Sequence, residues 1–131
     1  MPTRPDEAAA ARTADGALAA WVGLIALAAY LVTVYPGPGG VSNFGDSAKF
    51  QYLGTVLGLS HPPGAPLYIL LTALWVRLPI PIEPAVLVNA FSALCGALTL
   101  ALTFAALRRL GVARWAALGG VELLGVSPGF W

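Results

Sequence analysis

Ala17 to Val34 is a run of 18 residues without a charge. Wound as a helix it is about 27 Å long, close to the ~30 Å hydrocarbon core of a bilayer. Trp21, Tyr30 and Tyr35 fall toward its two ends, where aromatic rings favour the headgroup zone. A cleaved leader is the rival reading, but the run is long for one and YPGPGG makes a poor small-x-small cleavage site. The run is therefore read as an uncleaved transmembrane helix over about 17–35. Before it, MPTRPDEAAAARTADG (1–16) mixes Pro, Ala and opposite charges with no apolar face, which predicts a mobile tail.

The rest of the chain agrees with a lipid environment. Only 10% of the residues are charged and 58% are hydrophobic, with a mean hydropathy of +0.78. A soluble domain carries roughly 25% charged residues to cover its surface. A net charge of +1, with no basic patch interleaved with aromatics, excludes a nucleic-acid interface. Cys95 is the only cysteine, so there is no disulfide framework, and its apolar neighbours predict a buried, inert thiol.

After the first helix, residues 36–64 read as an external loop. PGPGGVSNF (36–44) breaks the helix and is too rich in Gly and Pro to lie unprotected in lipid. Asp46 to Leu59 can form a short amphipathic helix, with Phe50, Leu53 and Leu57 on one side and Lys49, Gln51 and Thr55 elsewhere. Gly54 and Gly58 would let another backbone come close. His61-Pro62-Pro63-Gly64 ends the segment, because consecutive prolines remove donors and force extended geometry before them.

Three more apolar segments follow, over about 65–82, 85–107 and 115–131. The first carries Trp75, Arg77 and Pro79 in its later half, and reads as a tilted span or a re-entrant hairpin arm. Arg77 could snorkel to an interface. In the second, Asn89, Ser92, Gly96, Thr99 and Thr103 recur every three or four residues beside Ala93, Ala97, Ala101 and Ala105. Such a low-profile stripe suits close helix packing, with hydroxyls bonding across the interface. Glu122 lies in the last segment, seven residues beyond Trp115. An acid at membrane depth is costly enough to be a candidate for function, or it sits at a helix end. The chain stops at SPGFW without a polar flank, so it is expected to be the first part of something longer.

The fold class expected is thus all-α and integral to the membrane, with three transmembrane helices and the start of a fourth. Residues 17–131 form the membrane domain. One tension remains. With the tail in the cytoplasm, three spans put Arg108, Arg109 and Arg114 outside, whereas the positive-inside rule prefers them inside. A re-entrant 65–82 would repair the count.

Chemistry concentrates in the stretch from Gly45 to Tyr68. Asp46 is well placed to cap the helix that follows it, and equally to serve as a general base facing water at the membrane edge. Lys49, three residues on, favours its ionised form. His61 before two prolines suits a cap, or a hydrogen bond to a phosphate or an acceptor. One His and one Asp do not make a metal site with readable spacing, so no metal is expected. No P-loop, nucleotide-binding glycine pattern or Ser-His-Asp layout is present.

GDSAKFQ…LGLSHPPGAPLYILL…NAFSALCGALT…RRLG…SPGFW, over Tyr35 to Trp131, resembles the N-terminal part of a bacterial family of polytopic membrane proteins. That family is related to protein O-mannosyltransferases of the GT-C class. The resemblance implies the first part of a GT-C-like helical bundle in the bacterial inner membrane, with its site on the non-cytoplasmic side. Such enzymes move a sugar from a polyprenyl-phosphate carrier to a hydroxyl acceptor, such as a protein Ser or Thr, with inversion; the resemblance implies no cofactor other than that lipid-phosphate sugar donor and leaves a metal requirement open. Asp46 matches their essential acid and would take the proton of the acceptor hydroxyl. His61, Pro62 and Pro63 would shape the loop floor beside the site. The family often carries a second acid where this chain has Lys49, which puts a second-carboxylate role in doubt and leaves Lys49 to meet the donor phosphate. A non-catalytic membrane module for transport or assembly, and an inactive truncated chain, are the alternatives.

Overall fold

In a computed structural model of the protein, residues 5–34, 36–37, 47–59, 64–128 and 130 are described. Among them are five helices and no strand: α1 (Pro5–Thr33), α2 (Ser47–Val56), α3 (Pro66–Trp75), α4 (Pro84–Arg109) and α5 (Arg114–Gly125). Two compact units divide the chain, one made of residues 1–30 with 94–131 and the other of 31–93.

The tail expected over 1–16 is helical from Pro5 onward. Proline suits the first helical position, Asp6 and Glu7 favour the positive end of the helix dipole, and the alanines that follow have the highest helix propensity. With no apolar face of its own, this stretch extends a helix that the hydrophobic run behind it already forms. Within α1, Ala9–Thr33 is long and apolar enough to cross a membrane, and so is α4.

In the first unit, α1 and the later half of α4 are antiparallel, because contacts in α4 fall in number as those in α1 rise. Asp15 meets Arg108, a Cβ built on Gly23 would lie 3.1 Å from that of Ala101, and one on Gly96 would lie 3.2 Å from the Tyr30 ring. Small residues thus let the two backbones approach, as the stripe on α4 predicts. Ala97, Leu100 and Phe104 are buried along this seam. One hydroxyl of the stripe departs from expectation: Thr99 is exposed and donates to the carbonyl of Cys95 in its own helix. Cys95 is exposed too, not buried, because it shares that outward side of α4.

Beyond α4, Gly111 adopts φ +82°, and the amides of Gly111 and Val112 return to the carbonyls of Arg108 and Leu107. This is a Schellman ending, and it turns the chain into α5. Helix α5 runs parallel to α1, with Arg114 against Asp15 at one end and Tyr30 Oη donating to the Gly125 carbonyl (2.9 Å) at the other. Ala117 and Val121 are its buried positions.

In the second unit, α3 is ten residues long, so it reaches only about 15 Å and is too short to span a bilayer alone. The expected span over 65–82 is therefore corrected. Pro79 and Pro81 cannot continue a helix, and the chain leaves α3 through tight turns, Ile80 N–H to Leu78 O and Ile82 N–H to Ile80 O. Arg77 does not extend away from α3. Its guanidinium donates to the Ala73 carbonyl (2.6 Å), neutralising an orphan acceptor at the negative end of the helix. Helix α5 stops at Gly125, short of the expected 131, and at 12 residues is also below spanning length. The described residues thus hold two span-length apolar helices where three were expected, with the shorter α5 at the place of the expected start of a fourth.

Candidate functional site

Helix α2 begins at Ser47, directly after Asp46, and fulfils the short helix expected between 46 and 59. It packs on α3 with a constant offset. Phe50 meets Tyr68 edge-on with ring centroids 5.6 Å apart, and one turn later a Cβ on Gly54 would come within 2.8 Å of Thr72 Oγ1. Contacts that rise together mean the two helices are parallel, so their N-termini share one end of the unit. Gly54 allows the close approach predicted for it. A Cβ on Gly58 would instead meet the Leu53 side chain of the same chain segment, at 2.7 Å.

The buried side of α2 differs from the expected amphipathic one. Gln51 is buried together with Leu53 and Gly54, whereas Leu57 is exposed. The reason is a partner: Gln51 Nε2 donates to Asn89 Oδ1 of α4 at 2.7 Å. A buried amide is tolerated when its hydrogen bond is made, and an apolar environment strengthens that bond. Nearby, Tyr68 Oη and Ser92 Oγ lie 3.0 Å apart, and Thr72 Oγ1 returns to the carbonyls of Tyr68 and Ile69. Rings link these polar groups. Phe91 lies between Tyr68 and Trp75, with centroids at 6.1 and 5.6 Å. The Trp75 indole N–H is buried without a partner among the described residues.

Of the residues singled out from sequence, Lys49 is placed in the first turn of α2 and is half-buried. Asp46, His61, Pro62 and Pro63 lie outside the described residues. They are nonetheless tied to the helices by the chain, Asp46 one residue before α2 and Pro63 three before α3. Tyr68 and the Gln51–Asn89 pair were not assigned to the site from sequence. Tyr68 closes the HPPGAPLY motif, which was the available signal. Asn89 looked like one more small polar residue in a packing stripe, and nothing in its spacing separates it from that role.

Residues 46–120 match the family model described as the protein O-mannosyl-transferase TMEM260 N-terminal domain. This chain belongs to that family. The match covers more than half of the chain and takes in α2, α3, α4 and the first turns of α5. It is narrower than the Tyr35–Trp131 resemblance, opening on Asp46 itself and leaving α1 outside. No curated protein and no solved structure matches the chain.

Proposed function

We propose that this TMEM260-type domain supplies the acceptor-activating face of a membrane glycosyltransferase, which moves a sugar from a polyprenyl-phosphate carrier to a hydroxyl acceptor such as a protein Ser or Thr. Helices α1 and α4 are its two membrane crossings, and the ends of α2 and α3 face the non-cytoplasmic side. The observation that carries the reading is the family match, which starts at Asp46 and continues through the paired helices.

Asp46 is the general base. The acceptor oxygen attacks the anomeric carbon while Asp46 takes its proton, the bond from that carbon to the phosphate oxygen breaks, and the lipid phosphate leaves with inversion. Parallel packing of α2 and α3 supports a role for this end of the unit in holding the phosphate. Two helix N-termini direct their partial positive charge the same way. Lys49 adds a cation in a first turn that contains no acid. His61, Pro62 and Pro63, just before α3, shape the floor beside it.

A second reading is favoured by one fact: α2 begins at the residue after Asp46, where an N-cap belongs. Two substitutions separate the readings. Asp46→Ser keeps a good capping side chain but has no carboxylate, and Asp46→Asn keeps shape and capping alike. Sugar transfer by the full-length protein, measured with expression and folding checked, is expected to fall at least a hundredfold in both. Retained transfer in either would sink the base assignment and leave the cap.

A further inference from the structure

A groove of about 320 Å³ runs between α1 and α5 in the first unit, over a floor at Leu100. Its walls are regular. On α1 the lining recurs every third or fourth residue from Leu18 to Tyr30, and on α5 the same spacing gives Leu118, Val121, Glu122 and Gly125. Both stripes are ridges of the kind into which a further helix packs. Trp21, at one edge, is 61% exposed.

Glu122 is the only acid in this lining. It lies eight residues into α5 from Arg114, so about 12 Å from the arginine end of the unit, which is inside the bilayer core on the reading of the adjacent α1 as a membrane crossing. Its carboxylate makes no hydrogen bond or ion pair with any described residue, whereas Asp15, nearer that end, is held by two arginines. A carboxylate at membrane depth is expensive unless a donor meets it. A hydrocarbon chain offers none, and a lipid phosphate would be repelled.

We infer that the groove is a docking site for a transmembrane helix that carries a basic side chain at the level of Glu122. The inference goes beyond sugar transfer but rests on the reading of α1 and α4 as membrane crossings. The ridges supply the shape, with Ala26 and Ala29 leaving room for the incoming backbone, and Glu122 supplies the selectivity.

The full chain in phosphatidylcholine vesicles tests it, with a dansyl-labelled polyleucine transmembrane peptide bearing one central lysine as the probe. Energy transfer from the tryptophans of the chain reads association. The lysine peptide is expected to associate at least tenfold more than its all-leucine counterpart, and Glu122→Gln to reduce that preference below threefold. Glu122→Lys is expected to prefer a peptide with a central glutamate, which also shows that the altered chain still forms the groove. Equal association of the lysine and leucine peptides, no association of either, or an unchanged preference in Glu122→Gln overturns the inference. Carbonate extraction is run beside it. Release of the chain defeats the membrane reading and the docking site together, while a retained chain without peptide preference defeats the docking site alone.

Discussion

Asp15 accepts hydrogen bonds from Arg108 at 3.0 Å and from Arg114 at 2.9 Å, across more than ninety positions of sequence. The two arginines approach different oxygens of one carboxylate, and Arg108 also donates to the carbonyl of Val112 in the turn after α4. The start of α1, the end of α4 and the start of α5 are thereby tied at one end of the first unit. This relation bears directly on topology. With α3 too short to cross, the proposed reading of α1 and α4 as the two crossings returns the chain to the side from which it started. Arg12, Arg108, Arg109 and Arg114 then fall on one side, as the positive-inside rule prefers, and the tension in a three-span count disappears.

That arrangement predicts the labelling of introduced cysteines. In a chain with Cys95→Ala, a cysteine at Gly111 is expected to react with an impermeant maleimide only from the cytoplasmic side, and one at Gly37 only from the other. Gly111 has φ +82°, so a cysteine there is strained, and Val112 serves as a second reporter of the same turn. Labelling of positions 37 and 112 from the same side would rule out an odd number of crossings between them.

Much of this was legible beforehand, and the errors share a cause. The long apolar helix α1, the short α2 and the small-residue seam of α4 all depend on local chemistry: apolar length and side-chain size. The helical tail, the shortness of α3 and the burial of Gln51 depend on partners or neighbours that no local pattern names. Residues 5–16 are helical as an extension of a helix already formed. Gln51 is buried only because Asn89, 38 positions away, accepts its proton. Beyond α3, Pro79 and Pro81 outweigh the hydropathy of Ile80 and Ile82. For the candidate site, Lys49 is singled out by its spacing to Asp46, whereas the contacts of Tyr68 and Asn89 emerge only when three helices are brought together.

The Gln51–Asn89 bond should behave as a buried polar pair. Asn89→Ala leaves the Gln51 amide without its acceptor and is expected to destabilise the protein by about 1–2 kcal/mol in detergent unfolding. Replacing both residues with leucine removes the orphan as well as the bond, so the double variant should be less destabilised than Asn89→Ala alone. Equal or greater loss in the double variant would mean that the pair contributes packing rather than polar satisfaction.

Glycines in this chain should separate into two classes. A Cβ on Gly54 would lie 2.8 Å from Thr72 Oγ1 and 3.3 Å from the Thr72 backbone carbon, so Gly54→Ala must push α2 off α3. The expected cost is about 1–3 kcal/mol. A Cβ on Gly119 or Gly120 meets nothing within 4 Å, and both lie inside α5. There alanine should stabilise by about 0.5–1 kcal/mol through helix propensity and a less flexible unfolded chain. Unfolding midpoints of the three single variants decide it, and a neutral Gly54→Ala would refute the close approach of α2 and α3.

Leu57 adopts φ +52° at the end of α2, and the amide of Gly58 returns to the carbonyl of Leu53. A left-handed residue closing a helix is normally glycine, because a Cβ costs roughly 1–2 kcal/mol there. Leu57 is half-exposed, so its side chain recovers little of that by burial. Leu57→Gly is therefore expected to raise stability by about 1 kcal/mol, read as a higher unfolding midpoint. A lower midpoint would mean that the leucine side chain contributes more in its present place than the backbone strain costs.

Lys49 carries the sharpest contrast between stability and activity. A cation in the first turn of a helix opposes the macrodipole, by about 0.3–1 kcal/mol at an exposed position. If α2 were only a structural brace, Lys49→Gln would act on the unfolding midpoint alone and would leave transfer unchanged. With the proposed role at the donor phosphate, the same variant is expected to raise KM for the lipid-phosphate donor about tenfold, the loss of one charge-assisted hydrogen bond. Lys49→Arg should restore most of that affinity, because the positive charge returns. Donor KM measured for both variants beside their unfolding midpoints separates the two roles, and an unchanged KM in Lys49→Gln would remove Lys49 from the phosphate site.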